Sequence, residues 1–128
     1  MHAALILKAL HTRNPEDARC YADQSFDDSG VGPLLGQLLL APWHQMHEDM
    51  VFNFAGIALP QMVAPVFQAA NTRLDYLVQG QCQRAFERKC AYTLAAIGTT
   101  GARLALEELA GSADPILRKY GREGLRHW

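Results

Sequence analysis

Residues 43–50, WHQMHEDM, set two histidines and two carboxylates within six positions just after Pro42. Imidazole with carboxylate suits zinc or a similar metal, and i+3 and i+4 spacings can bring such ligands around one ion. On a helix beginning near Pro42, His44, His47 and Glu48 fall within an arc of roughly 100°. The order is not that of His-Glu-x-x-His metalloproteases, because Glu48 follows the second histidine. No His-rich or Cys-rich segment offers a third or fourth strong ligand. A simpler reading makes these the first turns of a packed helix, with Glu48 and Asp49 favoured by the positive helix start. Trp43, Met46, Met50 and Phe54 would then point inward. We expect structure or partner contact at His44, His47 and Glu48, and neither metal nor cofactor.

Three other stretches carry chemical side chains. TRLDYLVQGQ, residues 72–81, offers Arg73, Asp75 and Tyr76. Arginine and tyrosine are residue types that anchor protein interfaces. Gln68, Asn71 and Arg73 would lie near the same edge. The alternative has Tyr76 and Leu77 folding back over the core. Arg118, Arg122 and Arg126 make an i, i+4, i+8 stripe, with Lys119 beside it, that could grip phosphate or an acidic partner. More often such a stripe is the solvated face of a terminal helix, and without interleaved aromatics a nucleic-acid role ranks low. Asp114 and Arg118 stand at i, i+4, a pairing worth a few tenths of a kcal/mol. Ser25, Ser29 and Ser112 have no nucleophile elbow around them. GTTG at 98–101 lacks the lysine of a phosphate loop.

The chain of 128 residues fits one domain, 1–128. Its net charge of −1 gives no hint of a nucleic-acid or acidic-membrane partner. Residues 1–64 carry 3 basic and 7 acidic groups, residues 65–128 carry 9 and 6, so the halves form a modest dipole. Cys82 and Cys90 would sit about 12 Å apart on one helix, beyond the roughly 7 Å a disulfide spans. With Cys20 they read as reduced, cytosolic thiols. MHAALILKAL has no basic region ahead of its apolar run and is not expected to be a signal peptide. Met50 to Thr72 is free of charge and long enough to cross a bilayer. Asn53, Pro60, Gln61, Pro65, Gln68 and Asn71 interrupt it, however, and two short helices explain it better. A soluble, cytoplasmic chain is expected.

The elements that position these residues follow from apolar spacing. An i, i+3, i+4, i+7 stripe occurs as Ala3/Ile6/Leu7/Leu10, Val31/Leu34/Leu35/Leu38, Val63/Val66/Phe67/Ala70 and Ala102/Ala105/Leu106/Leu109. Successive starts are 28, 32 and 39 residues apart, a loose period that helical repeats with variable loops would give. A second class alternates with these: Met46/Met50/Phe54/Ile57, Phe86/Cys90/Leu94/Ile97 and Leu117/Gly121/Leu125. Residues 15–26 would supply its earliest member. Asn14-Pro15 and Asp114-Pro115 read as caps followed by proline at the first helical position. DDSGVGP and GTTG read as turns, and Gly111-Ser112 as a helix end. Nothing alternates with period two for long. About eight helices are expected, as stacked antiparallel hairpins, with 74–81 as an inserted loop. Ala3, Ile6, Leu7 and Leu10, with Leu5 on another side, need a cover, so the N-terminal helix would pair in a homodimer or follow another helix.

Residues 86–125, through TLAAIGTTGARLALEELAGSADPILRKYGREGL, resemble HEAT repeats of the type also found in phycobilisome-lyase-like proteins. Ile97-Gly98 ends a first helix, a leucine-rich second helix follows, and Asp114-Pro115 opens the next unit. Leu117-Arg118 matches the family's apolar-plus-Arg step. MVFNFAGIALPQMVAPVFQAA at 50–70 repeats the scheme. Gly121 and Gly124 depart from it, standing where alanines are usual, and Leu59-Pro60 replaces the Asp-Pro turn. The resemblance implies an all-α, right-handed, HEAT-like α-solenoid, and it speaks to fold more than function. The expected role is a non-enzymatic module that binds another protein, as a scaffold or an inhibitor or immunity-type binder. Contacts would come from His44, His47, Glu48, Gln68, Arg73, Asp75 and Tyr76. The alternatives are a metal-dependent enzyme at His44/His47/Glu48 and a bilin-lyase-like activity.

Overall fold

The structure, a computed structural model, describes residues 2–17 and 31–128. Among the described residues the regular elements are helices, and no strand occurs. They are α1 (His2–Thr12), α2 (Val31–Leu40), α3 (His47–Ile57), α4 (Val63–Ala70), α5 (Asp75–Gln79), α6 (Gln83–Ile97), α7 (Thr100–Ala110) and α8 (Pro115–His127), with a 3-10 turn at Pro60–Met62. No helix is long and apolar enough to cross a membrane among the described residues.

These eight are not quite the eight expected. The helix predicted at 15–26 lies largely outside the described residues. At its described start Asn14 caps a local turn, its Oδ1 accepting the Glu16 N–H at 3.1 Å. The additional helix is α5, where an inserted loop was expected. Leu74 and Leu77 are both buried, and one helical turn brings residues three apart to the same side. α3 begins at His47, not near Pro42, so His44 sits in the turn before it.

The stripes pack both on chain neighbours, as α7 does on α8, and on helices further along the chain. α2 packs on α1 and α4, and α4 on α7; α3 packs on α6, and α6 on α8. α6 is the hub, touching α3, α4, α7 and α8. Phe86, Cys90, Leu94 and Ile97 are buried along it, opposite Met50 and Phe54 of α3. Phe54 and Phe86 are wholly buried, each gaining about 2–3 kcal/mol from leaving water. The exposed Lys89–Glu48 ion pair, at 2.7 Å, joins the same two helices and contributes at most about 1 kcal/mol. Apolar burial therefore decides how α3 sits on α6. Thr93 adds direction to it, its hydroxyl lying 2.9 Å from the Val51 carbonyl and 2.8 Å from that of Lys89.

On α1 the inward face is Ile6 and Ala9, with Leu10 half-buried; Leu7 is 53% exposed and Leu5 46% exposed. The expected Ile6/Leu7/Leu10 stripe is thus shifted: α1 packs on α2 with Ala9 inward and Leu7 outward. Gly121 and Gly124 also gain a reason. A Cβ at Gly121 would press on the Ala110 amide nitrogen and lie 2.7 Å from the Leu109 carbonyl carbon; one at Gly124 would lie 2.5 Å from Leu106 Cδ2. Gly121 lets α8 lie directly on the α7 backbone, and Gly124 makes room for the Leu106 side chain of α7 and the Ala91 carbonyl of α6.

The ends of α6 to α8 follow their local sequence. Gly98 closes α6 in the left-handed region, at φ 71°, where glycine carries no Cβ penalty. Thr99 caps α7 by accepting the Ala102 N–H at 3.1 Å, and Asp114 caps α8 by accepting the Ile116 N–H at 2.9 Å. Asp114 pairs with Arg84 at 2.7 Å rather than with Arg118. Its capping role turns the carboxylate toward the helix start, where Arg84 of α6 arrives.

Candidate functional site: a cleft beside a buried histidine pair

His44 and His47 come together, but inward. Their exposures are 1% and 0%. The rings stack with centroids 4.1 Å apart and planes 11° from parallel. Every ring nitrogen is engaged. His44 Nε2 donates to the Leu38 carbonyl, and its Nδ1 accepts the Met46 N–H at 3.0 Å. His47 Nε2 donates to the Ala41 carbonyl at 2.8 Å, and its Nδ1 lies 2.7 Å from the Tyr76 hydroxyl. A carbonyl can only accept, so each ring carries its proton on Nε2, and the Tyr76 O–H must donate to His47.

The environment favours these neutral forms. Burial pushes the His47 pKa down to about 4, helped by the neighbouring His44, against the opposing bond to Ala41. Burial lowers that of His44 as well, against its Leu38 bond. Tyr76 is pushed up to about 12, first by burial and then by the charges of Glu48, Asp49 and Cys82, with the His47 bond opposing. The two imidazoles leave no lone pair for an ion, and Glu48 is taken by Lys89. The metal reading does not fit this donor set. Nor do His44 and His47 present a shared outer face, because residues 41–46 leave the helix and fold the rings beneath them. The pair ties the end of α2 to α3 and α5.

Above the pair lies an open cleft of about 340 Å³. One wall is Pro42, Trp43, His44 and Gln45; the other is Arg73, Leu74, Asp75, Tyr76 and Gln79. Trp43 is half-buried and stands edge-on to His44, with centroids 5.2 Å apart and planes at 76°. On its other side Trp43 helps line a second depression of about 270 Å³ with Pro15, Glu16, Gln45 and Met46. Arg73, Asp75, Gln45 and Gln79 are exposed at the rim, over an aromatic interior. Both aromatic lining residues rest on the histidine pair: Tyr76 is hydrogen-bonded to His47, and Trp43 contacts the edge of His44.

A polar chain fixes the second wall. Gln83, only 6% exposed, accepts the Leu74 N–H through Oε1 at 3.1 Å and donates to the Thr72 carbonyl at 3.0 Å. The same amide nitrogen donates to Glu87 Oε2 at 3.0 Å, and Arg84 bridges Glu87 and Asp114 at 2.8 and 2.7 Å. Glu87 is 3% exposed, and these two donors are what let its carboxylate stay there. The segment carrying Arg73 is thereby clamped to the starts of α6 and α8.

Of the residues expected to meet a partner, Arg73, Asp75 and Tyr76 line one cleft, with His44 at its back. His47 lies beneath it, and Glu48 is half-buried against Lys89. Gln68 is exposed on α4 outside the lining, and its carbonyl accepts the Thr72 hydroxyl at 2.8 Å. Trp43, Gln45 and Gln79 were not among those expected. Gln83 and Glu87 were missed as well; a glutamine and a glutamate at i, i+4 were the available signal, and their burial shows only in the structure. Cys82 and Cys90 are free thiols, and burial raises the pKa of Cys90. No family model matches the chain, and neither a curated protein nor a solved structure does.

Proposed function

We propose that the chain is a non-enzymatic protein-interaction module, a short right-handed HEAT-like solenoid that docks its partner in the Trp43–Tyr76 cleft. The solenoid reading is supported by two files of helices, α1–α2–α4–α7 and α3–α6–α8, each touching in chain order. The docking reading rests on one observation: an open cleft sets Trp43 and Tyr76 beside a rim arginine, with Tyr76 hydrogen-bonded to the buried His47 and Trp43 against His44. Binding hot spots combine these residue types, and a preorganised cleft avoids the cost of ordering on binding. A cytoplasmic setting agrees with Cys82 and Cys90, the free thiols among the described residues. Leu5 and Leu7, both exposed on α1 though on different sides of it, leave apolar surface that a homodimer through that helix would cover, and light scattering would reveal this as a doubled mass.

The enzymatic alternatives have less to rest on. His44, His47 and Glu48 are each already bonded. The test is capture from native lysate with the whole chain and with Trp43→Ala and Arg73→Glu, all shown by circular dichroism to be folded. A partner retained by the parent should be lost by both variants. Retention unchanged by either substitution would place the docking surface elsewhere.

A further inference from the structure

The charges of α8 are sorted by the packing in a way its sequence does not suggest. By spacing, Asp114 could neutralise Arg118 and Glu123 could neutralise Lys119, each at i, i+4. Neither does. Asp114 turns to Arg84 and Glu123 to Arg88, at 2.7 and 3.2 Å, both arginines lying on α6. Both carboxylates of this helix and its cap therefore face its neighbour. On α6 and α7, by contrast, Arg84, Arg88, Lys89 and Arg103 each hold a carboxylate. Lys119, Arg122 and Arg126 stay outward and exposed, around a shallow depression of about 520 Å³ whose remaining lining residue is the half-buried Leu125.

We propose that this face binds an acidic segment of a partner protein, with an apolar side chain of that segment seated on Leu125 and its carboxylates on Lys119, Arg122 and Arg126. Arginine meets a carboxylate through two parallel N–H bonds, and a lysine nearby adds point charge. The apolar centre is what favours a peptide over nucleic acid, since no aromatic ring is present in the lining to stack a base. The site is separate from the Trp43–Tyr76 cleft and does not depend on it.

The probes are a fluorescent peptide of about 12 residues alternating Glu-Leu-Glu-Glu, a polyglutamate peptide of equal charge, and a single-stranded oligodeoxynucleotide of equal charge, read by anisotropy. The Glu/Leu peptide should bind saturably and at least about tenfold more tightly than polyglutamate, and weaken as salt rises from about 50 to about 300 mM. Arg122→Glu should abolish binding and Leu125→Ala should remove the preference for leucine, with thermal melts showing both variants folded. Arg73→Glu should change nothing, which separates this surface from the cleft. Absence of saturable peptide binding at low salt would overturn the proposal. So would equal affinity for the oligonucleotide, or binding by Arg122→Glu as tight as by the parent.

Discussion

Acidification tests the histidine pair directly. His47 is neutral in the folded chain with its pKa pushed down to about 4, against 6.5 for a free imidazole. Between these values the unfolded chain holds a proton that the folded chain does not, so stability must rise with pH through this window. The stabilising contribution is complete above about pH 6.5 and is lost as pH falls toward about 4. At about 1.4 kcal/mol per pH unit, His47 alone removes about 3 kcal/mol over that span. The ring is fully buried, so solvent does little to soften this. His44 shifts in the same direction and adds to the loss. Against a typical total of about 5–15 kcal/mol this is a large share. Urea unfolding at half-unit steps from pH 7.5 to 4.5 should show the midpoint falling, with the steepest loss below about pH 6.5. His47→Gln/His44→Gln should flatten the profile at a lower overall stability. A parent protein equally stable at pH 7 and pH 5 would refute the claim that both rings are buried and neutral. Long-range nitrogen–proton NMR gives an independent reading, with the proton expected on Nε2 of each ring.

Gly121→Ala should lower stability by about 1–3 kcal/mol, because the Leu109–Ala110 backbone cannot retreat from the added Cβ. Gly56→Ala on α3, where nothing lies within 4 Å of the new carbon, should raise it by about 0.5–1 kcal/mol through helix propensity; thermal melts compare the two. Gln83→Met should destabilise by about 2–3 kcal/mol, since it strands the Leu74 N–H and the Thr72 carbonyl and takes one donor from Glu87. Faster amide exchange at Leu74 would locate that loss, and a Leu74 amide unchanged in exchange would count against the clamp.

The apolar period was readable because each helix buries a stripe that only needs residues three and four apart. Leu35 and Leu38, Val66 and Ala70, and Phe86, Cys90, Leu94 and Ile97 are all buried where spacing placed them. The Asp114-Pro115 cap and the Gly98 end were equally local, set by one side chain or one φ. Where a residue's fate depended on a remote neighbour, spacing misled. Treating 42–50 as one helix put His44 and His47 on an outer arc; the turn at 42–46 stacks them inside. Asp114 with Arg118 was a fair local pair, and Arg84, 30 positions away, displaced it.

The amino-acid order by itself determined that this chain makes helices, which faces of them are greasy, and where several begin and end, since those preferences are settled within a few residues. Which polar groups lie near each other was decided only by tertiary packing. Tyr76 reaches His47 across 29 positions and Glu123 reaches Arg88 across 35, because helices brought together for their apolar stripes carry their polar neighbours with them. The cleft beside Trp43 and the cationic face of α8 are products of that second step.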